Sequence, residues 1–223
     1  GGNAVDAAVA ASAVLAVTMQ NMCGMGGDLW ALVHEGGTEP PATLNASGRA
    51  GSGSDAEAMR AEGHTTLPFR GDIRSVPIPG CVDGWLALLA RYGSLPIEQI
   101  LAPAIGLAQG GFAVTPILAS MINGIAEVDG ADDYRPNGRP AAEGQVITRP
   151  GLGRSLSAVA SDGRSGWYQG EFGAGLRRLG DAVGGLYSED DLAEVQAEWV
   201  EPVVADAWDH RLWTVPPNSQ GYL

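Results

Sequence analysis

Apolar and polar positions along this chain alternate mostly with a helical period. After Asn3, Val5, Ala8, Val9, Ser12 and Ala13 continue a small-residue helix that Asn3 can cap and that ends near Gln20-Asn21. A glycine-rich turn, residues 22–27, leads to a strand over 28–34. A second short strand at 43–45 makes a hairpin with it. Residues 54–62 read as a short helix capped by Ser54 or Asp55, and 63–79 as a long loop. Helical spacing returns with Val82, Trp85, Leu86, Leu88 and Leu89 and stops at Tyr92-Gly93. Pro96 opens a helix through Ile100, Leu101, Ala104, Ile105 and Ala108, which ends at Gly110-Gly111. Thr115-Pro116 opens another, to about Val128. Residues 129–149 read as a polar loop or lid, 150–160 and 171–179 as helices, and Ser188 as the start of one more. The stretches 199–205 and 211–215 alternate like strands, and the chain closes on a Pro-Pro-Asn-Ser turn.

Length and composition fit one globular domain with its own core: 223 residues, 45% hydrophobic. A formal charge of −13 argues against nucleic acid or an anionic membrane as partner. All 13 basic residues are Arg, which excludes a Lys Schiff base, a P-loop lysine and a Lys general base within this chain. The longest apolar stretch, 7–19, is too short to span a membrane. Two cysteines allow at most one bridge. The opening Gly-Gly-Asn, without initiator Met or basic leader, reads as the middle of a longer protein and leaves the compartment open.

Local motifs for chemistry are sparse. The three histidines, His34, His64 and His210, lie far apart, so no metal and no cofactor is expected. There is no G-x-S-x-G elbow. The turn at 24–27 precedes a strand, the reverse of the dinucleotide-binding order, and reads as a backbone turn. Cys23 beside it reads as a small buried structural cysteine before it reads as a nucleophile. Asp132-Asp133 reads as solvated loop, and Glu189-Asp190-Asp191 as a helix start that suits the dipole. Thr65-Thr66 reads as ordinary loop.

Eight collinear segments nevertheless resemble one family, the gamma-glutamyltransferases. They are the opening Gly1-Gly2-Asn3-Ala4-Val5-Asp6; Cys23-Gly24-Met25-Gly26-Gly27-Asp28-Leu29; Asn45-Ala46-Ser47-Gly48-Arg49-Ala50; and Val76-Pro77-Ile78-Pro79-Gly80-Cys81-Val82-Asp83-Gly84-Trp85. The remainder are Tyr92 to Pro96; Ala102 to Ile105 with Gly110 to Val114; Tyr168-Gln169-Gly170 with 184–192; and Val215-Pro216-Pro217-Asn218-Ser219-Gln220-Gly221, which is similar to the family's P-P-x-S-x-G turn. Together they span essentially the whole chain.

The resemblance implies an α/β (α+β) fold, the αββα sandwich of the N-terminal nucleophile hydrolases, with residues 1–223 the mostly helical large-subunit part of a single incomplete domain. It implies an autoprocessed precursor and a small subunit as partner. A new N-terminal Thr, lying beyond this chain, would attack γ-glutamyl or related acyl amides of small molecules. No catalytic residue is expected within 1–223. Arg49 is the one site residue the resemblance carries over, as the guanidinium that takes the donor's α-carboxylate. Without the resemblance it reads as a surface arginine in a Gly/Ser-rich turn. The usual transferase has an acid directly after this arginine. Ala50 stands here instead, a form more similar to the cephalosporin-acylase-like branch, which leaves the acyl group and the choice between hydrolysis and transpeptidation open. A non-catalytic α/β binding or scaffold domain is the second reading, and a self-sufficient Cys23 hydrolase the third.

Overall fold

The computed structural model describes residues 1–122 and 130–221, in two compact units: Gly1–Gly24 with Leu88–Gly170, and Met25–Ala87 with Glu171–Leu223. In chain order the elements are α1 (Ala4–Thr18), β1 (Leu29–Val33), β2 (Ala42–Ala46), α2 (Ala56–Ala61), α3 (Cys81–Tyr92), α4 (Ile97–Gly110), β3 (Phe112–Ala113), α5 (Pro116–Ile122) and β4 (Val146–Ile147), followed by α6 (Pro150–Asp162), α7 (Arg164–Tyr168), α8 (Glu171–Asp181), α9 (Glu189–Ala193), β5 (Glu198–Val200), β6 (Val203–Ala207) and β7 (His210–Thr214). The long loop at 63–79 contains only a short 3-10 turn, Ile73–Ser75.

The first unit is helical. Asn3 caps α1 in a full capping box: its side chain accepts from Val5 and Asp6 N–H, and Asp6 accepts from Asn3 N–H. Asp6 is buried and also accepts from the Ser94 N–H and hydroxyl, tying the start of α1 to the turn before α4. Although α1 is apolar almost all round, only one stripe is buried: Asp6, Val9, Ala13, Ala16 and Val17. It packs on α4, α4 packs on α6, and α6 packs on α7. The expected helix from Thr115-Pro116 is present as α5; its continuation towards Val128 lies outside the described residues. The polar stretch before α6 is not wholly irregular. It forms 3-10 turns at Asp132–Tyr134 and Pro136–Gly138, and then β4, which pairs with β3. The short α7 escaped the sequence reading. Gly163 breaks the helix at φ +61, and the next turn re-forms because Gly166 lies against the Ala158 carbonyl, where a Cβ would collide.

The second unit holds a three-stranded antiparallel sheet in the order β1-β2-β5. Its middle strand is the best buried, with Thr43, Leu44 and Ala46 all at 1% exposure or less. Ile78, Val82 and Trp85 of the same unit are also fully buried, and each side chain of that size contributes about 1.5–3 kcal/mol by leaving water. The stretch expected as one strand over 199–205 is two. Pro202 has no N–H for a ladder, so β5 ends at Val200 and joins β2, while β6 begins at Val203 and forms a separate hairpin with β7. Among the described residues no helix is long and apolar enough to cross a membrane.

Candidate functional site

Four of the segments singled out in the sequence converge, within the second unit, on the loop that leaves β2. The register sets this up: Asn45 at the end of β2 pairs with Glu198 at the start of β5. The chain beyond β2 therefore runs past residues 196–198. There Arg49 N–H donates to Gln196 Oε1 at 3.1 Å, and the Arg49 and Glu198 side chains meet at 3.7 Å. From another side, Ile78 N–H donates to the Arg49 carbonyl at 2.8 Å. The P-P-x-S-x-G-like turn arrives as well. Asn218 Nδ2 donates to Ser47 Oγ at 3.0 Å, and Asn45 Nδ2 donates to Asn218 Oδ1 at 3.3 Å. Ser52 N–H and hydroxyl donate to Asp191 Oδ2 at 2.9 and 2.8 Å.

The loop needs glycine at position 48. Its φ is +83, and a Cβ there would run into the Ile78 carbonyl oxygen. This close approach presses residues 47–49 against 78–80 and turns Arg49 outward. The side chain is more than half exposed, and Glu198 is its one ion-pair partner among the described residues. A fork of N–H donors in that setting can accept a planar anion bidentately.

The other candidates are placed as follows. Cys23 is exposed rather than buried, because the turn after α1 faces solvent. Its Sγ lies 3.6 Å from the Met19 carbonyl, and partial desolvation pushes the thiol pKa up, away from the reactive thiolate. Cys81 is buried at the start of α3, and neither cysteine is bridged. Thr65 and Thr66 are exposed loop residues. Asp132 is exposed and Asp133 stands 3.9 Å from Arg149. The Glu189–Asp191 triplet opens α9, where Ser188 and Asp191 form a capping box. Desolvation works against ionisation of Asp191, but hydrogen bonds from Ser188 and Ser52 outweigh it and hold its pKa below the usual carboxylate value. Among the described residues no three His, Cys, Asp or Glu side chains could together hold a metal ion.

Sequence reasoning did not foresee the partners of Arg49. Glu198 and Gln196 carry no local motif, and only the pairing of β2 with β5 brings them to the loop. Asp83 had a faint signal, an acid inside an apolar helical pattern; it is buried in the first turn of α3 and accepts from Gln196 N–H at 2.7 Å.

The family profile for gamma-glutamyltranspeptidase matches residues 1–223. The chain is 34% identical over 227 residues to the glutathione hydrolase-like YwrD proenzyme of Bacillus subtilis (strain 168), covering 100% of this chain and 43% of the relative. Among solved structures, it superposes on Helicobacter pylori gamma-glutamyltranspeptidase with a TM-score of 0.89 at 26% identity, over 99% of this chain and 65% of that one. It superposes on the cephalosporin acylase of Bacillus halodurans with a TM-score of 0.87 at 35% identity, over 98% of this chain and 42% of that one. The fold is therefore of the mixed α+β, N-terminal nucleophile hydrolase class. Within that class, the chain belongs to the gamma-glutamyltranspeptidase family. It spans less than half the length of the curated relative it matches.

Proposed function

We propose that this chain is the large-subunit portion of an autoprocessing amidohydrolase or acyltransferase, and that Arg49 receives the carboxylate of the acyl donor. In this reading the remainder of the precursor supplies an N-terminal Thr. Its hydroxyl attacks the scissile γ-glutamyl or related amide carbonyl, and its own α-amine takes the proton. The acyl-enzyme then passes to water or to an amine. The term proenzyme in the relative's name, and its greater length, support a processed precursor.

The observation that carries the reading is the setting of Arg49. Its main chain is fixed by Gln196 and Ile78, while its guanidinium stays exposed beside a single carboxylate. A fixed base with an accessible fork suits substrate capture. Anchoring the far end of the donor would bring the amide to the nucleophile in a repeatable position, which is where much of an acyl-transfer enzyme's advantage arises. A carboxylate-receiving Arg49 fits a donor of the γ-glutamyl or dicarboxylic-acyl class, and Ala50 in place of an acid leaves the choice between them open.

The test begins with the complete reading frame: intact mass of the purified protein and N-terminal sequencing of each band. Two chains, the smaller starting with Thr, together with hydrolysis of a γ-glutamyl or acyl-cephalosporin substrate that Arg49→Ala weakens, support the proposal. A single uncut chain without activity would leave a binding or scaffold domain that has kept the fold.

A further inference from the structure

Arg49 is exposed, yet the main chain beneath it is tied to one of the most enclosed polar groups of its unit. Gln196 is 4% exposed, and its whole amide is engaged. Oε1 accepts from Arg49 N–H at 3.1 Å, while Nε2 donates to the Asp191 carbonyl at 3.1 Å and the Glu194 carbonyl at 3.0 Å. The Gln196 backbone N–H donates to Asp83 Oδ2 at 2.7 Å, and Asp83 is itself 3% exposed. A buried amide is tolerated only when its groups are paired. This network also fixes the amide's orientation. Two carbonyls claim the donor end, so the acceptor end must face Arg49. All three partners of the side-chain amide are backbone groups, so an apolar side chain at 196 would leave them without this hydrogen bond.

Resting on the reading of Arg49 as the carboxylate-binding group, we infer that Gln196, held by Asp83, is a positioning residue of the acyl-donor site. It fixes the Arg49 main chain and thereby the place where the guanidinium fork meets the donor's carboxylate. The guanidinium is far from its Cα, so a small rotation of the loop becomes a large displacement of the fork. A bidentate clasp tolerates little such displacement. Ile78 restrains the Arg49 carbonyl, but only Gln196 restrains its N–H, so loss of the amide releases one of the two ties across that residue.

The experiment uses the complete protein and two donor pairs. γ-Glutamyl p-nitroanilide is compared with 4-aminobutanoyl p-nitroanilide, which lacks only the α-carboxylate, and glutaryl with butanoyl p-nitroanilide in the same way. Gln196→Met removes the acceptor at similar volume, and Asp83→Asn keeps the shape of the group behind it. For the carboxylate-bearing donor, Gln196→Met is expected to lower kcat/KM by about 10-fold or more, mainly through KM, with the carboxylate-free donor held within about two-fold. Asp83→Asn is expected to shift the same ratio in the same direction by less. In an Arg49→Ala background, Gln196→Met should add no further loss, because both act through one contact.

Equal losses for both donors of a pair, or an undiminished effect of Gln196→Met in the Arg49→Ala background, would make Gln196 a purely structural residue and overturn the inference. The two levels separate cleanly. If Arg49→Ala leaves the donor ratio unchanged, the carboxylate-binding reading itself fails. If Arg49→Ala collapses the ratio and Gln196→Met does not, only the positioning role fails.

Discussion

The Arg49 guanidinium and the Glu198 carboxylate stand 3.7 Å apart, with side chains 58% and 56% exposed. An ion pair this open to water is worth about 0–1 kcal/mol and is easily exchanged for another carboxylate. In the proposed reading of Arg49, Glu198 is a resident counter-ion that an anionic donor displaces. Glu198→Gln is expected to lower KM for anionic donors by about two- to five-fold and to change stability by less than about 0.5 kcal/mol, read by steady-state kinetics and thermal melts. An increase in KM would instead give Glu198 a direct part in donor binding.

Arg49 itself separates fork geometry from charge. Arg49→Ala should reduce kcat/KM for a carboxylate-bearing donor by about 100-fold, and Arg49→Lys should recover only part of it, because an ammonium cannot make two parallel hydrogen bonds. Full recovery by Lys would mean that charge alone is sensed.

Gly48→Ala tests the backbone beneath the site. The residue sits at φ +83 with its α-carbon against the Ile78 carbonyl. Alanine there should cost about 1–3 kcal/mol of stability and raise KM for the donor through displacement of Arg49. Denaturant melts and kinetics on the same preparation would register both effects; an unchanged midpoint would show that the loop relaxes freely.

Asp6 is expected to contribute to the acid stability of the first unit. The Ser94 hydroxyl, then the Asn3 N–H, pull its carboxyl pKa down to about 2. Because the folded pKa lies below the unfolded one, the contribution is complete above the ordinary carboxylate range and is lost as pH falls towards 2. Asp6→Asn should therefore lower Tm at pH 7, and the gap from wild type should close between pH 4 and pH 2. A gap that stayed constant over that window would assign the role of Asp6 to shape and not to charge.

Cys23 offers the simplest exclusion. It is exposed, but desolvation raises its thiol pKa. Iodoacetamide should label it slowly at neutral pH, and activity of the complete protein should survive both labelling and Cys23→Ser. Loss of activity under both treatments would reinstate a thiol mechanism.

Much of the fold was legible because its signals are local. Asn3 was readable as the cap of α1, Asp55 is one of the two caps offered for α2, and the apolar spacing of α4 needs no partner to be recognised. What was misread depends on distant chain. The break at Pro202 matters because β5 has β2 to pair with, and the short α7 exists because Gly166 fits against α6.

The candidate site divides in the same way. Sequence alone determined that Arg49 stands in a Ser-Gly-Arg-Ala turn, that no lysine chemistry is available within this chain, and that eight ordered segments follow one family. Only the tertiary structure decided what those segments do to one another. Glu198, Gln196, Ile78 and Asn218 are separated from residues 45–49 by long stretches of chain, and no spacing rule links them. The register of β2 against β5 brings in Glu198 and Gln196, the close approach at Gly48 brings in Ile78, and Asn218 arrives on the Pro-Pro-Asn-Ser turn. Such contacts are set by which buried surfaces pack together, a property of the whole folded unit that no local stretch of sequence contains.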